Sequence, residues 1–237
     1  MALGVDVAVL LFVALHALLP TAANAALQDG FYRSNTNCSV DVEATVMSVV
    51  QQYLSADRGV GAGLIRLHFH DCFVKSLPPP FAELDQLTGL FAAKGFTADE
   101  LVTLSGAHSV GRAHCASFSQ RIRPNVSDTM DAEYGAGLQQ QCPPDAGADV
   151  AVDQDQATPA DLDNRYYGNV LAGKVLFNSD WALISDGTTR RMVEDSAADP
   201  GRWAAKFGDA MRKMGALDVL TGDQGEIRRF CHVTNSG

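Results

Sequence analysis

The sequence predicts a mainly α-helical fold. Several segments repeat apolar residues at the three- and four-residue spacing that gives a helix one apolar face. The segment Thr97-Ala98-Asp99-Glu100 has the Thr-x-x-Glu pattern of a helix capping box. No run of alternating apolar and polar residues indicates a half-buried sheet. These features therefore predict a fold built mainly of packed helices.

The N-terminus is typical of a secretory signal peptide. An apolar run is followed by small residues, of which Ala23 and Ala25 satisfy the A-x-A rule for cleavage. The run is shorter than the roughly 20 residues that a bilayer span needs, which argues against a transmembrane helix. One feature departs from the signal-peptide pattern, because Asp6 stands where a basic residue is usual. We therefore expect a signal peptide over residues 1–25 and a mature domain over residues 26–237. A buried first helix is the alternative.

Two helices are predicted next. Apolar residues recur at helical spacing from Val42 to Leu54, and Ser39 can cap the start. The glycines within residues 59–63 are expected to end this helix and to separate it from a second, histidine-rich helix over Leu64 to Val74. The prolines Pro78 to Pro80 then force an extended turn.

The remaining helices follow the same periodicity. Helical spacing resumes between Phe81 and Phe91, and the capping box opens a helix that continues through His108. In the last predicted helix, Trp203, Phe207, Met211 and Met214 share one face. Further helices are predicted over residues 130–141, 164–173 and 201–215.

Composition and charge narrow the function. An apolar content of 46% suffices for a buried core. The net charge of −10 argues against a nucleic-acid partner, and the chain is not expected to enter a membrane. The sequons that begin at Asn37 and Asn125 agree with export. Five cysteines are an odd number, so at least one thiol has no partner within the chain.

Arg66 and His70 are the first candidates for chemistry. They are four residues apart, so a helix places both side chains on one face. A neutral histidine can move a proton between the two oxygens of hydrogen peroxide, and a fixed guanidinium can stabilise the negative charge that develops. An incidental pair on a helix surface is the alternative.

His108 is a candidate axial ligand of haem iron. The small residues Ser105, Gly106 and Ala107 before it would let a flat group approach the backbone. An axial histidine normally donates its other N–H to a carboxylate, for which Asp180 is the candidate. A buried packing histidine is the alternative. A zinc site of His68, His70 and His108 is disfavoured, because residues two apart point to different faces of a helix.

Five segments resemble class III (secretory) plant haem peroxidases. The segment GLIRLHFHDCFV is similar to the distal signature of that family, and DELVTLSGAHSVGRAHC is similar to its proximal signature, in the family's order. Shorter likenesses are DNRYYGNV, SDWALISD and LTGDQGEIRRFCHVTN. The likeness extends over nearly all of residues 27–236. It implies the plant haem-peroxidase fold.

The resemblance assigns roles to the candidate residues. It implies that Arg66 and His70 are the distal catalytic pair and that Phe69 is a wall of the haem pocket. It also implies that His108 is the proximal ligand of haem b and that Asp180 is its partner. The expected activity is oxidation of phenolic donors by hydrogen peroxide, which removes peroxide under oxidative stress. The expected protein is a monomer, secreted to the apoplast or cell wall.

The resemblance also implies calcium and a disulfide. The implied proximal calcium ligands are two carboxylates, two hydroxyls and a backbone carbonyl, all hard oxygen donors, from Asp155, Asp163, Ser109, Thr158 and Asp161. Asp71 matches a distal calcium ligand, and Pro78 matches a proline at the mouth of the channel for aromatic donors. Cys115 and Cys142 match a family disulfide.

The sequence departs from the family between Lys75 and Ser76. On the order of 90 residues are expected to be missing there, which is more than several average helices. The missing part includes the other distal calcium ligands, the asparagine that holds the distal histidine, and the partners of Cys38, Cys72 and Cys231. Two interpretations stay open: an alternative or defective transcript, and a protein whose helices close around the gap. A catalytically silent remnant that at most binds haem and calcium is the alternative function.

Overall fold

The computed structural model describes residues 27–34, 39–145, 147, 150–230 and 232–235. The predicted signal peptide, the sequon at Asn37, Cys38 and Cys231 therefore lie outside the described residues, and the predicted domain boundary stays a prediction. The chain divides into two compact units. One consists of Met1–Phe31 with Val219–Gly237, and the other of Tyr32–Asp218. All candidate site residues belong to the second unit.

The described fold is mainly α-helical, as the sequence predicts. Eleven α-helices occur among the described residues, and two short 3-10 helices, Gly106–Ser109 and Cys115–Ser117, accompany them. The α-helices are α1 (Phe31–Ser34), α2 (Val42–Ala56), α3 (Gly59–Cys72), α4 (Leu84–Ala93), α5 (Ala98–Ser105), α6 (Ser119–Ile122), α7 (Ala132–Gln141), α8 (Arg165–Leu171), α9 (Asn178–Ala182), α10 (Gly187–Ala198) and α11 (Pro200–Gly215).

A small sheet lies among the helices. Strand β1 (Arg112–His114) pairs antiparallel with β2 (Ala151–Asp153), with Ala113 opposite Val152. The sequence did not predict this sheet, because a strand of three residues is too short to show an alternating pattern.

The first two long helices begin differently from the sequence prediction. Asp41, and not Ser39, caps α2, since its Oδ1 accepts a hydrogen bond of 2.9 Å from the Ala44 N–H. The predicted glycine break was wrong, because Gly59, Gly61 and Gly63 are all within α3. A Cβ on Gly61 would lie 3.1 Å from the Leu54 side chain. The absence of that Cβ lets α2 and α3 pack closely, which offsets the usual cost of glycine in a helix.

The predicted capping box opens α5. Thr97 accepts from the Glu100 N–H, and the Glu100 carboxylate accepts from the Thr97 N–H. Helix α5 packs against α4, α10 and α11, with Leu101, Tyr167 and Trp203 in the shared core. This packing fixes the end of α5, from which the chain leads directly to His108.

Helices α2 and α3 lie at the edge of this core. Both are described in full, and neither contains a buried residue. Tyr53 on α2 is 60% exposed and Leu67 on α3 is 67% exposed. The helix that carries Arg66 and His70 is therefore covered on fewer sides than the helix that leads to His108. No helix within the described ranges is long and apolar enough to cross a membrane.

Candidate active site

One cavity brings the two predicted catalytic regions together. Its volume is about 630 Å³, within the range of ligand and cofactor sites. Arg66, Phe69 and His70 of α3 line it on one side. Ser105 and His108, at and beyond the end of α5, line it from another. The two groups are about forty residues apart in the sequence. Helices α3 and α5 both pack against α11, which brings the two groups to the same cavity.

Arg66 and His70 occupy one face of α3, as their spacing predicts. The Arg66 Nε donates to the His70 Nε2 over 3.5 Å, which is long for a hydrogen bond. In the part of the chain that the structure describes, this is the one hydrogen bond of the His70 ring. Arg66 is exposed and His70 is half-buried. The pair is in place, but few contacts restrain it.

His108 is held much more firmly. It lies in the 3-10 helix Gly106–Ser109, and its Nδ1 donates to the Oδ1 of Asp180 over 2.7 Å. Asp180 lies on α9 and is only 3% exposed. The ring of Phe177 packs edge-on against the His108 imidazole at 5.4 Å between centroids. Because Asp180 occupies Nδ1, Nε2 is the ring nitrogen that is left to bind a metal.

Asp180 raises the pKa of His108. Burial of the ring by itself lowers this pKa, but the negative charge of Asp180 and its hydrogen bond to the ring outweigh burial. The same contact fixes the tautomer that an axial ligand needs. The predicted pairing of His108 with Asp180 is therefore present as a contact, although the two residues are far apart in the sequence.

Gly106 has a different purpose from the one that the sequence suggested. A Cβ on Gly106 would lie 2.8 Å from both the Trp203 ring and the Tyr167 hydroxyl. This glycine therefore makes room for core packing, and Ser105 and Ala107 are the small residues that line the cavity. The cavity is otherwise mainly apolar, with Leu104 among its walls. An apolar slot with a carboxylate-backed histidine fits a haem group.

Phe69 and Pro78, which the resemblance assigns to the pocket and its mouth, both line the cavity. Phe69 lines the cavity and stacks on the buried Phe73 at 4.8 Å between ring centroids. Pro78 also lines the cavity, in the extended segment that follows α3. Asp71 is exposed on α3. Burial of the neighbouring Cys72 thiol raises the pKa of that thiol, and the negative charge of Asp71 raises it further.

Four of the implied proximal calcium ligands are linked by hydrogen bonds next to His108. The Ser109 hydroxyl donates to the Asp161 carbonyl over 2.8 Å and to the Asp163 carboxylate over 3.3 Å. The Thr158 hydroxyl donates to the same Asp163 oxygen over 3.2 Å. Asp155 is buried, and its Oδ2 has no hydrogen-bond partner in the described structure. A buried carboxylate oxygen without a donor fits a cation site.

The disulfide that the resemblance implies is present. Cys115 and Cys142 are bonded, with their Cα atoms 5.6 Å apart, and the bond packs in a second core cluster around β1 and α7. Cys72 is the free cysteine among the residues that the structure describes. The expected free thiols of Cys38 and Cys231 stay predictions.

Two buried residues at this site were missed by the sequence prediction. Tyr166 on α8 donates its hydroxyl to the same Asp180 oxygen that His108 uses, over 2.7 Å. Arg121 is 4% exposed and donates to the carbonyls of residues 175–177. The tyrosine pair in NRYYGNV was a visible signal for a buried helix face. Nothing in that pattern indicated a contact with Asp180.

Sequence similarity to known proteins agrees with this geometry. The family model described as "Peroxidase" matches residues 74–199. Peroxidase 5 of Vitis vinifera is 32% identical over 307 aligned positions, which cover 90% of this chain and 92% of that protein. Because 90% of 237 residues is about 213, about 94 of those positions have no residue in this chain. That number agrees with the segment expected to be missing after Lys75.

Other relatives match a shorter part of the chain more closely. Peroxidase 2 of Zea mays is 45% identical over 165 residues, covering 68% of this chain and 49% of that protein. Peroxidase 16 of Arabidopsis thaliana is 39% identical over 166 residues, covering 68% of this chain and 51% of that protein. In these two alignments the chain spans about half the length of its relative. The chain belongs to the peroxidase family, among the class III peroxidases of plants.

Proposed function

We propose that this chain is a haem peroxidase that oxidises phenolic donors with hydrogen peroxide, and that the missing segment weakens its turnover. The observation that supports this most strongly is the single cavity lined by Arg66 and His70 on one side and by His108 on another. A pair suited to peroxide cleavage and a carboxylate-backed histidine then face one ligand space.

The proximal residues would hold haem b. His108 would bind the iron through Nε2, and Asp180 would keep the ring in the right tautomer and make it a stronger donor. Haem supplies the capacity to accept two oxidising equivalents from peroxide and to pass them on. Phe69 would pack against the macrocycle as a pocket wall, and Pro78 would border the approach of aromatic donors.

The distal residues would handle the peroxide. His70 would take the proton from the oxygen of peroxide nearer the iron and return it to the leaving oxygen, so that the leaving group departs as water. The guanidinium of Arg66 would stabilise the negative charge that develops during O–O cleavage. Their placement one turn apart on α3 supports this division of work.

Calcium would bind at the convergent oxygen donors next to His108. Ser109, Thr158, Asp163 and the Asp161 carbonyl are already linked by hydrogen bonds, and Asp155 has a buried carboxylate oxygen to offer. A cation there would brace the segment that follows His108. Asp71 would by itself make only an incomplete distal site.

The wider setting follows from the family. We expect a secreted monomer of the apoplast or cell wall that removes hydrogen peroxide under oxidative stress. The exposed Asn125 is open to glycosylation. We do not expect nucleic acid or a membrane among its partners.

A catalytically silent haem-binding or calcium-binding protein is the second candidate. The observation that favours it is the exposure of α3, which contains no buried residue although it is described in full. Poorly restrained distal residues would leave haem binding intact and slow the chemistry.

Haem titration followed by peroxide separates the two candidates. The purified chain, refolded with calcium, would be titrated with haem b, and the absorbance spectrum would be followed before and after hydrogen peroxide and then a phenolic donor. The proposed peroxidase binds haem, changes its spectrum with peroxide and returns to the starting spectrum with the donor. Haem binding without a peroxide response supports the silent protein, and the absence of haem binding contradicts both haem-dependent functions.

A further inference from the structure

We infer that Tyr166 is a positioning residue that weakens the pull of Asp180 on His108 by donating to the same carboxylate oxygen. The inference rests on the proposed role of His108 as the iron ligand. It concerns how strongly the histidine donates to the iron, and therefore the reduction potential of the bound haem.

The contact between the three side chains is short and buried. The Oδ1 of Asp180 accepts from the Tyr166 hydroxyl over 2.7 Å and from the His108 Nδ1 over 2.7 Å. Tyr166 is 2% exposed and Asp180 is 3% exposed. Burial raises the pKa of Tyr166 well above its ordinary value, as does the charge of Asp180. The hydroxyl therefore stays protonated and remains a donor at all physiological pH values.

Two donors on one oxygen compete for its charge. Each hydrogen bond withdraws electron density from the acceptor, and in a buried site of low dielectric constant this mutual effect is stronger than in water. The bond from Tyr166 therefore leaves Asp180 a poorer acceptor for His108. A weaker His108–Asp180 bond gives the imidazole less imidazolate character and makes it a weaker donor to iron.

The surroundings leave few other groups to set this balance. The buried guanidinium of Arg121 interacts electrostatically with Asp180, which opposes the lowering of the Arg121 pKa by burial. Its five described hydrogen bonds go to the carbonyls of residues 175–177 and to Thr129, and none goes to the carboxylate. Tyr166 is thus the second direct donor to the oxygen that holds His108.

The test is Tyr166→Phe, with Tyr167→Phe as the matched control. Both tyrosines are buried neighbours on α8 that lose one hydroxyl, but Tyr167 donates to the carbonyls of Val102 and Thr103 instead of to Asp180. In the haem-free chain, nuclear magnetic resonance at one alkaline pH would follow the His108 Nδ1 proton. In the haem-bound chain, the iron–histidine stretching frequency and the reduction potential would be measured.

We expect Tyr166→Phe to move the Nδ1 proton downfield, to raise the iron–histidine stretching frequency and to make the potential more negative, while Tyr167→Phe leaves all three at the wild-type values. Equal values for Tyr166→Phe and the wild type, or equal shifts in both variants, would overturn the inference. A chain that binds no haem would contradict the proposed function, and the Nδ1 proton in the haem-free chain would still decide the role of Tyr166.

Discussion

His70 and His108 line the same cavity but are held in different ways. His108 donates to a buried carboxylate at 2.7 Å, whereas the His70 ring has only the 3.5 Å contact with Arg66 among its described hydrogen bonds. An axial ligand must stay fixed to hold the iron, and an acid–base catalyst must exchange its proton. The contrast in their surroundings therefore matches the two proposed roles.

Substitution of each histidine should separate these roles. We expect His108→Ala to abolish haem binding, because the iron loses its protein ligand. His70→Ala should leave haem binding within about twofold and slow the reaction with peroxide by roughly 10²–10⁴-fold, the usual contribution of a positioned acid–base group. Haem titration and stopped-flow absorbance measure the two effects. Equal losses of haem affinity in both variants would contradict the assignment.

The raised pKa of His108 predicts how haem affinity depends on pH. In the haem-free chain the His108–Asp180 ion pair contributes stability that is fully present below the unfolded-state pKa of about 6.5 and is lost as pH rises through the higher folded-state pKa. Haem needs the neutral ring, so each pH unit below the folded-state pKa should cost about tenfold in affinity.

We expect haem affinity to increase with pH and to become constant only above about 6.5, the ordinary value for histidine. Asp180→Asn removes the charge that raises this pKa, and in that variant the affinity should become constant at a lower pH. Haem titrations across the pH range measure both curves. A plateau that begins at the same pH in both proteins would show that Asp180 does not set the pKa.

At the scale of helices, local rules predicted some elements well. The capping box at Thr97 opens α5 as expected, and Trp203, Phe207 and Met214 share the buried face of α11. These features depend on neighbours within one or two turns, which the sequence shows directly. Features that depend on distant residues were missed. Gly61 lies within α3 and closely approaches the Leu54 side chain of α2, and Tyr166 on α8 donates to Asp180 on α9.

The candidate site follows the same pattern. Residue type and spacing indicated Arg66, His70 and His108, and Asp180 was the candidate carboxylate for His108. The family resemblance supplied the calcium ligands. The sequence suggested that Gly106 makes room for a flat group, which was wrong. The neighbours that Gly106 makes room for, Trp203 and Tyr167, come from α11 and α8. Side chains that arrive from elements distant in the sequence leave no local pattern.

Gly106→Ala tests the packing at the end of α5. The new Cβ would lie 2.8 Å from the Trp203 ring, and overpacking of a core usually costs about 1–3 kcal/mol. Gly137→Ala is the control, because Gly137 lies within α7 and its Cβ would meet nothing within 4 Å. We expect the first change to lower the free energy of unfolding and the second to leave it unchanged or raise it by about 0.5–1 kcal/mol. Denaturant unfolding without haem compares them, and an unaltered stability for Gly106→Ala would contradict this packing.

For the molecule as a whole, the two sides of the cavity differ in support. The side that carries His108 rests on a packed core and a disulfide, and the Ser109 hydroxyl links it to the Asp161 carbonyl. The distal helix α3 has no buried residue and follows the equally unburied α2. The chain then crosses the point of the expected gap in a turn, where the Ser76 N–H donates to the Phe73 carbonyl over 2.8 Å. If Arg66 and His70 have the proposed catalytic role, we expect the missing segment to affect their pre-organisation more than the position of His108.

Turnover per bound haem tests whether the expected missing segment supports catalysis at α3. Steady-state oxidation of guaiacol by hydrogen peroxide would be compared between this chain and a variant in which the corresponding segment of a relative follows Lys75, both refolded with haem and calcium. A catalytic group displaced by about 1 Å can cost on the order of 10²-fold in rate. We therefore expect both proteins to bind haem and the longer one to turn over about 10²-fold faster. Equal turnover per bound haem would contradict this expectation and show that α3 needs no support from the missing segment.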